Sequence, residues 1–363
     1  MSTLAAIGVL AVLIFVHELG HFLAARLQGI YANKFSLGFG PVLLKYQGKQ
    51  TEYALRALPL GGFVGFPDDD PDSDIPPNDP NLLHNRPLLD RAIVISAGVI
   101  ANLIFAYFLF VVQVSVTGFQ QIDYHPGVAV SGIAANLSTA AGKAGLQAND
   151  VILAVDGERL GSAKPAIVKL MAEIQDHPQQ PLSFEVQRGA EILNLKVTPD
   201  ANAEGKGQIG VKLAPNADIT IDRAQSPIDA LGKAASEFER VVVLTVQGLS
   251  QLVTNFGETA TQVAGPIKIV EIGSNIASTN IAGLLQFGAL ISINLAVMNI
   301  LPLPALDGGQ LAFLLFEALL GKPLPSKLQD TVMQTGLVLL LGLGVFLVIR
   351  DTANLTGVQQ FFK

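Results

Sequence analysis

Residues 4–25 read Leu4-Ala-Ala-Ile-Gly-Val-Leu-Ala-Val-Leu-Ile-Phe-Val-His17-Glu18-Leu19-Gly20-His21-Phe-Leu-Ala-Ala25. The run from Leu4 to Val16 holds no charge and no turn cluster, so it reads as a helix long enough, with its continuation, to cross a bilayer. An acidic side chain in such a segment costs roughly 2.5–3.5 kcal/mol at mid-membrane and therefore marks a functional site. The spacing supplies the chemistry. Histidines at i and i+4 share one helix face and can reach a single zinc ion, while the glutamate between them can activate water. The segment lacks a basic leader and a small-residue cleavage site, so it does not read as a removable signal peptide.

Working outward, the composition fits a polytopic membrane protein with an inserted soluble module. The 363 residues are 50% hydrophobic and 15% charged, with mean hydropathy +0.45. A net charge of -7 provides no basic field for nucleic acid. Cysteine is absent, which excludes disulfides and thiolate metal sites. Apolar segments occur at about 3–27, 92–117, 283–320 (interrupted) and 332–350. Short connections at 28–91 and 321–331 carry Lys34, Lys45, Lys49, Arg56, Arg86, Arg91, Lys322 and Lys327. The positive-inside rule puts these connections in the cytoplasm, and both termini and the long insertion outside. Arg350 fits that assignment less well.

Between the first two segments, strand-like runs 34–44 and 51–60 bracket Gln47-Gly48-Lys49-Gln50. They read as a β-hairpin that dips toward the bilayer, and its strand edges could hold an unwound substrate by β-addition. The stretch Pro67 to Pro80 reads as an exposed loop. The insertion begins as a small α/β-like module, with strands at 128–130 and 150–155, a helix at 163–174, and a hairpin of 182–186 with 192–197. Ser226-Pro227 then starts an amphipathic helix over 226–256, either on the membrane surface or as a plain linker.

A catalytic zinc needs three protein ligands and an open position. The candidate third ligand is Asp307, in Leu301-Pro302-Leu303-Pro304-Ala305-Leu306-Asp307-Gly308-Gly309. The two prolines break the helix and the glycines allow close backbone approach. Depth agrees: His17 lies roughly 20 Å along the first segment at 1.5 Å per residue, and Asp307 lies toward the inner end of the third. Glu18 is read as the general base that passes a proton to the leaving amine. Asn294 and Asn299 could bind substrate or stabilise an oxyanion, or else bond between helices. His84, His125 and His177 sit in polar loops without ligand spacing.

These motifs together resemble the site-2 protease family of intramembrane zinc metalloproteases, in its bacterial four-helix form with one PDZ domain. The resemblance rests on His17 to His21; Phe39-Gly40-Pro41; Leu58-Pro59-Leu60-Gly61-Gly62-Phe63; Arg91 with Ala97-Gly98 and Asn102; and Asn299 through Gly309. Lys143 to Ile152 with Asp156-Gly157 is similar to the PDZ signature of that group. The expected fold class is thus a polytopic α-helical membrane protein with four transmembrane helices, a membrane-associated β-hairpin and an inserted extracytoplasmic PDZ domain. The expected organisation has the first two helices and hairpin (about 34–66) in 1–117, the PDZ domain in 118–200, a linker with an amphipathic helix in 201–280, and the last two helices in 281–363. The resemblance implies Zn2+ on His17, His21 and Asp307, Glu18 as base, and substrate handling at Gly61, Gly62 and Phe63. It implies cleavage of single-span membrane proteins in the bacterial inner (plasma) membrane, such as anti-sigma factors already trimmed by an upstream site-1-type protease. The insertion holds one PDZ-like unit where other relatives carry two, and 134–142 is a longer, less proline-marked turn than usual. A membrane-anchored PDZ adaptor with a structural metal is the competing reading, and a metal transporter is disfavoured by the lack of inverted repeats.

Overall fold

The computed structural model describes residues 1–70, 73–133, 140–202, 204–259, 263–280 and 282–355. They form two compact units, residues 1–118 with 223–363, and residues 119–222. The first unit opens with α1 (Ser2–Leu27), which carries the His-Glu-Leu-Gly-His stretch in its second half. Two long strands follow, β1 (Lys34–Gln47) and β2 (Glu52–Gly65). Each is bent on itself. Residues 44–47 pair antiparallel with 52–55, as the hairpin reading expects, but 34–37 also pair parallel with 52–55 and antiparallel with 62–65. The bends fall at glycines in the left-handed region, Gly38 (φ 86°) and Gly61 (φ 112°), which a side chain would make costly. The result is four short segments in the order 44–47, 52–55, 34–37 and 62–65, with 62–65 at one edge. Single 3₁₀ turns at Pro67–Asp69 and Leu83–Asn85 lead into α2 (Leu88–Val116).

Close approach of α1 and α2 depends on small residues. A Cβ on Gly20 would collide with the Ala97 carbonyl oxygen and come within 2.7 Å of the Ala101 Cβ. Such backbone proximity increases the dispersion contact between the two helices.

The second unit is a six-stranded sheet with a helix packed on it. Its elements are β3 (Phe119–Ile133), α3 (Ala140–Lys143), β4 (Val151–Val155), β5 (Glu158–Arg159), α4 (Ala163–Asp176), β6 (Leu182–Arg188), β7 (Glu191–Val197) and β10 (Val211–Asp222), with β8 (Asp200–Ala201) and β9 (Gly207–Gln208) forming a separate pair. The strand order is β10-β3-β4-β6-β7, with β5 paired to β4. The core holds Val128, Ile152, Leu170, Phe184 and Val186, the inward positions of alternating strands and of one α4 stripe. Buried Asp150 receives both nitrogens of the Arg188 fork at 2.7 and 2.8 Å. Burial alone would push its carboxyl up, yet Arg188 and the Gln147 N–H outweigh that and hold it below the usual carboxylate range. The unit runs to Asp222, beyond the boundary expected at 200, because β10 pairs with β3 from Val211↔Ile133 to Asp222↔Phe119. Residues 134–139 of the expected long turn lie outside the described residues.

The chain returns to the first unit through α5 (Pro227–Thr254), whose Ser226 Oγ accepts the Asp229 N–H at 3.1 Å, a cap worth about 1 kcal/mol. This helix is neither a surface helix alone nor a plain linker. Its buried stripe Ala230, Ala234 and Val241 faces other helices. The Tyr107 hydroxyl of α2 donates to the Leu231 carbonyl at 3.1 Å. After the short α6 (Phe256–Thr259) comes α7 (Pro266–Thr279), which packs on α1 and had no counterpart in the sequence reading. The third apolar segment is split into α8 (Gly283–Ile300) and α9 (Asp307–Leu320), and α10 (Ser326–Leu355) is the last. Buried Asp351 of α10 accepts the Lys268 N–H at 3.0 Å, capping the first turn of α7. Arg350 bonds the Val263 carbonyl beside it, so its charge is engaged at that junction. Among the described residues, four helices, α1, α2, α8 and α10, are long and apolar enough to cross a membrane.

Candidate metal centre

Three donor atoms from two distant stretches of chain converge. His17 Nε2 lies 3.2 Å from His21 Nε2 and 3.2 Å from Asp307 Oδ2, and His21 Nε2 lies 3.4 Å from the same oxygen. A tetrahedral zinc with ligands at ~2.0–2.1 Å requires neighbouring donors about 3.3 Å apart, so this triangle is the right size. Asp307 Oδ2 is buried and accepts no hydrogen bond, a costly state for a carboxylate oxygen unless a cation is held there. Among the described residues, this is the only group of three His, Cys, Asp or Glu side chains close enough to hold a metal.

Each donor is set by its local fold. The histidines share one face of α1 because they are four residues apart. Asp307 is the first residue of α9, where its negative charge meets the positive helix end. The break that puts it there is closed on itself. The Leu303 N–H reaches the Leu301 carbonyl at 2.6 Å, and the Leu306 N–H reaches the Leu303 carbonyl at 3.3 Å, which is how irregular backbone survives away from water. A Cβ on Gly308 would strike the Ile300 and Leu301 carbonyl oxygens, and one on Gly309 the Leu303 carbonyl oxygen. Arg91 Nη2 of α2 bonds Glu317 Oε1 of α9 at 2.5 Å, tying the Asp307 helix to the helix that backs the histidines.

That backing is a row on α2. Val94, Gly98 and Asn102 are spaced by four and face α1. The His21 Nδ1–H donates to the Val94 carbonyl at 2.8 Å. Asn102 meets His17 Nδ1 at 3.3 Å. Between them Gly98 leaves room for both rings, because a Cβ there would collide with His21 Nε2 and come within 2.8 Å of His17 Cε1. Gly98→Val is therefore expected to push the imidazoles off the donor triangle. A displacement of 1 Å costs about 100-fold in rate. Cleavage and zinc content should both fall, while Gly8→Val, at a position open to its surroundings, leaves both unchanged. Normal zinc content in Gly98→Val would contradict this seat.

Glu18 lies beside the triangle with its Cγ against Gly62, where a Cβ would approach to 2.8 Å, and the Val64 N–H hydrogen-bonds its carboxylate. A cavity of about 820 Å³ joins these groups. His17, Glu18, His21, Gly61, Gly62, Phe63, Val64, Asn299 and Asp307 all line it. Asn299 Nδ2 stands 3.3 Å from His17 Nε2, next to the donors. Asn294 is not brought to the centre. Five residues apart on one helix, the two amides point about 140° from each other, and Asn294 Oδ1 accepts instead from Thr245 Oγ1 of α5 at 2.9 Å. His84, read as a plain loop residue, lines the mouth of the same cavity and is bonded to Asp68. Its bond to Asp68 holds it there, and no spacing in the sequence signals it.

Comparison with known proteins places the chain in a family. Residues 5–343 match the model of peptidase family M50. Proteins named "Putative zinc metalloprotease" in Nostoc sp. and Synechocystis sp. are 62% and 61% identical, over 100% of both chains and over 99% of this chain and 97% of the relative. The "Membrane metalloprotease ARASP, chloroplastic" of Arabidopsis thaliana is 48% identical over 99% of this chain and 80% of its own. Among solved structures, the PDZ domain of an SdrC-like protein from Listeria monocytogenes matches 25% of this chain and 90% of its own at 18% identity, with a TM-score of 0.22, too slight a likeness to argue from. Two histidines and a carboxylate converging beside a glutamate, among apolar helices, form a candidate zinc centre of a hydrolase. The chain belongs to peptidase family M50, and it is a zinc metalloprotease.

Proposed function

We propose that the protein hydrolyses peptide bonds within the membrane-spanning segments of single-span membrane proteins. The observation that carries this is the shared cavity, in which the donor triangle and Glu18 open onto the sheet edge at Gly61 to Val64. A substrate helix hides its amides in its own hydrogen bonds, so it must be unwound before attack. The edge segment 62–65 pairs on one side only with 34–37, leaving the other side to bind an extended chain by β-addition. Gly61, Gly62 and Phe63 would contact the substrate backbone there.

His17, His21 and Asp307 would hold the zinc. When bound, it supplies a Lewis acid that polarises the scissile carbonyl and makes water acidic. Glu18 takes a proton from the attacking water and delivers it to the leaving amine. Asn299, an uncharged amide beside the donors, orients the carbonyl or donates to its oxygen as negative charge develops.

Lysines and arginines of 28–91 and 321–331 support an orientation with the metal centre in the inner half of the bilayer, and with the termini and the 119–222 unit outside. That unit, through its resemblance to PDZ domains, would screen substrates already shortened by an upstream protease. In a bacterium the membrane would be the plasma membrane, and anti-sigma factors are one fitting class of substrate. An adaptor role without proteolysis is not favoured by a base placed against the donor set.

The test is cleavage of single-span proteins by the purified full chain in liposomes, with product ends read by mass spectrometry. Cuts are expected inside the apolar span, and faster where the span contains Gly or Pro. Cuts confined to segments outside the span would overturn the proposal.

A further inference from the structure

The two histidines differ in what fixes their tautomer. A backbone carbonyl can only accept, so the Val94 oxygen requires a proton on His21 Nδ1 and leaves Nε2 bare for a cation. His17 Nδ1 meets no carbonyl. Its partner is the side-chain amide of Asn102, which is 0% exposed. With the NH2 end turned toward the ring at 3.3 Å, Nδ1 must accept, and the proton is then forced onto Nε2, the atom aimed at Asp307. In that arrangement Asn102 Oδ1 is buried with no partner, an unfavourable state for an acceptor. A half-turn of the amide exchanges its ends. The orphaned oxygen then receives the Nδ1–H, and Nε2 is left free.

We infer that Asn102 is the positioning residue that accepts the His17 Nδ1–H, holding His17 in the tautomer and ring orientation that can bind the metal. The geometry around it serves that end. The Asn102 backbone carbonyl accepts Ser292 Oγ of α8 at 2.8 Å, which pins this turn of α2. Val94, Gly98 and Asn102 thus offer an acceptor, a gap and an acceptor along one face, matched to the four-residue spacing of the histidines. This inference rests on the reading of His17 as a zinc ligand.

Zinc affinity of the purified full chain, measured by competition with a chelator, tests it. Outer partners of zinc-bound histidine are worth about 10–100-fold in affinity. Asn102→Leu, which keeps the bulk and removes the acceptor, should weaken zinc by that factor. Asn102→Asp, which keeps an acceptor, should stay within about 3-fold of the wild type on the same reasoning. Cobalt substitution adds a spectroscopic readout, with the visible bands of Asn102→Leu altered and those of Asn102→Asp retained. Wild-type affinity in Asn102→Leu, or equal losses in both variants, would overturn the inference. Should Asn102→Leu fail to fold, Asn102→Ala takes its place under the same criteria. His17→Ala separates the two claims. If it retains full zinc affinity, the reading of the centre fails. If it loses zinc while Asn102→Leu does not, only the role of Asn102 fails.

Discussion

Glu18→Gln is expected to bind one zinc per chain and to cleave a membrane-span substrate about 10²–10⁴-fold more slowly than the wild type, the range a positioned general base contributes. Glutamine has the length and branching of glutamate, so it fits against Gly62 and can still accept the Val64 N–H. It leaves the three donor atoms untouched, because Glu18 is not one of them. What it removes is the capacity to take a proton. Rate and metal content should therefore separate, with zinc by elemental analysis near one per chain and product formation close to background. Cleavage at the wild-type rate would show that Glu18 is not the base. Loss of zinc would show that it belongs to the metal's coordination instead.

Asp307→Ala should do the opposite and lose the metal itself. Two histidines on one helix provide only two of the three protein ligands that a catalytic zinc uses. Changing an outer partner of a ligand already costs about 10–100-fold in affinity, so deleting a ligand, and its negative charge, should cost more than 100-fold. After dialysis against a weak chelator, the variant should retain almost no zinc, and activity should fall with it. The rest of the fold has little reason to change, since the 301–306 break is held by its own backbone bonds and Arg91 still holds α9 through Glu317. Stoichiometric zinc in Asp307→Ala would remove Asp307 from the centre and send the search for the third ligand elsewhere.

How far the sequence reaches differs from residue to residue. His17 and His21 were legible because ligand spacing on a helix is a local property, carried by 3.6 residues per turn. The helix break before Asp307 was legible from Pro302, Pro304 and the two glycines. The two bent strands were half legible. The Gln47 to Gln50 turn announced a hairpin, but the second pairing of 34–37 with 62–65 depends on bends at Gly38 and Gly61, whose positive φ is a backbone property that composition does not specify. Strand β10 and helix α7 were missed because each is stabilised by a partner far along the chain, β3 and α1 respectively. Asn294 and Asn299 were indistinguishable in sequence. Helix rotation alone sends one to Thr245 and the other to His17.

The sequence by itself determined that the chain has long apolar helices, that one carries a zinc-type His-Glu-His set, and that an aspartate sits at a break in another. Those are matters of local pattern and of the cost of charge in an apolar run. Only the tertiary structure decided that Asp307, nearly three hundred residues downstream, completes a triangle of 3.2–3.4 Å. It alone decided that Gly98 makes room for both rings, that Gly61 to Val64 opens onto the same cavity as Glu18, and that Asn102 stands behind His17. Distances between side chains on separate helices are set by how the helix surfaces pack, and no spacing along a single segment encodes them.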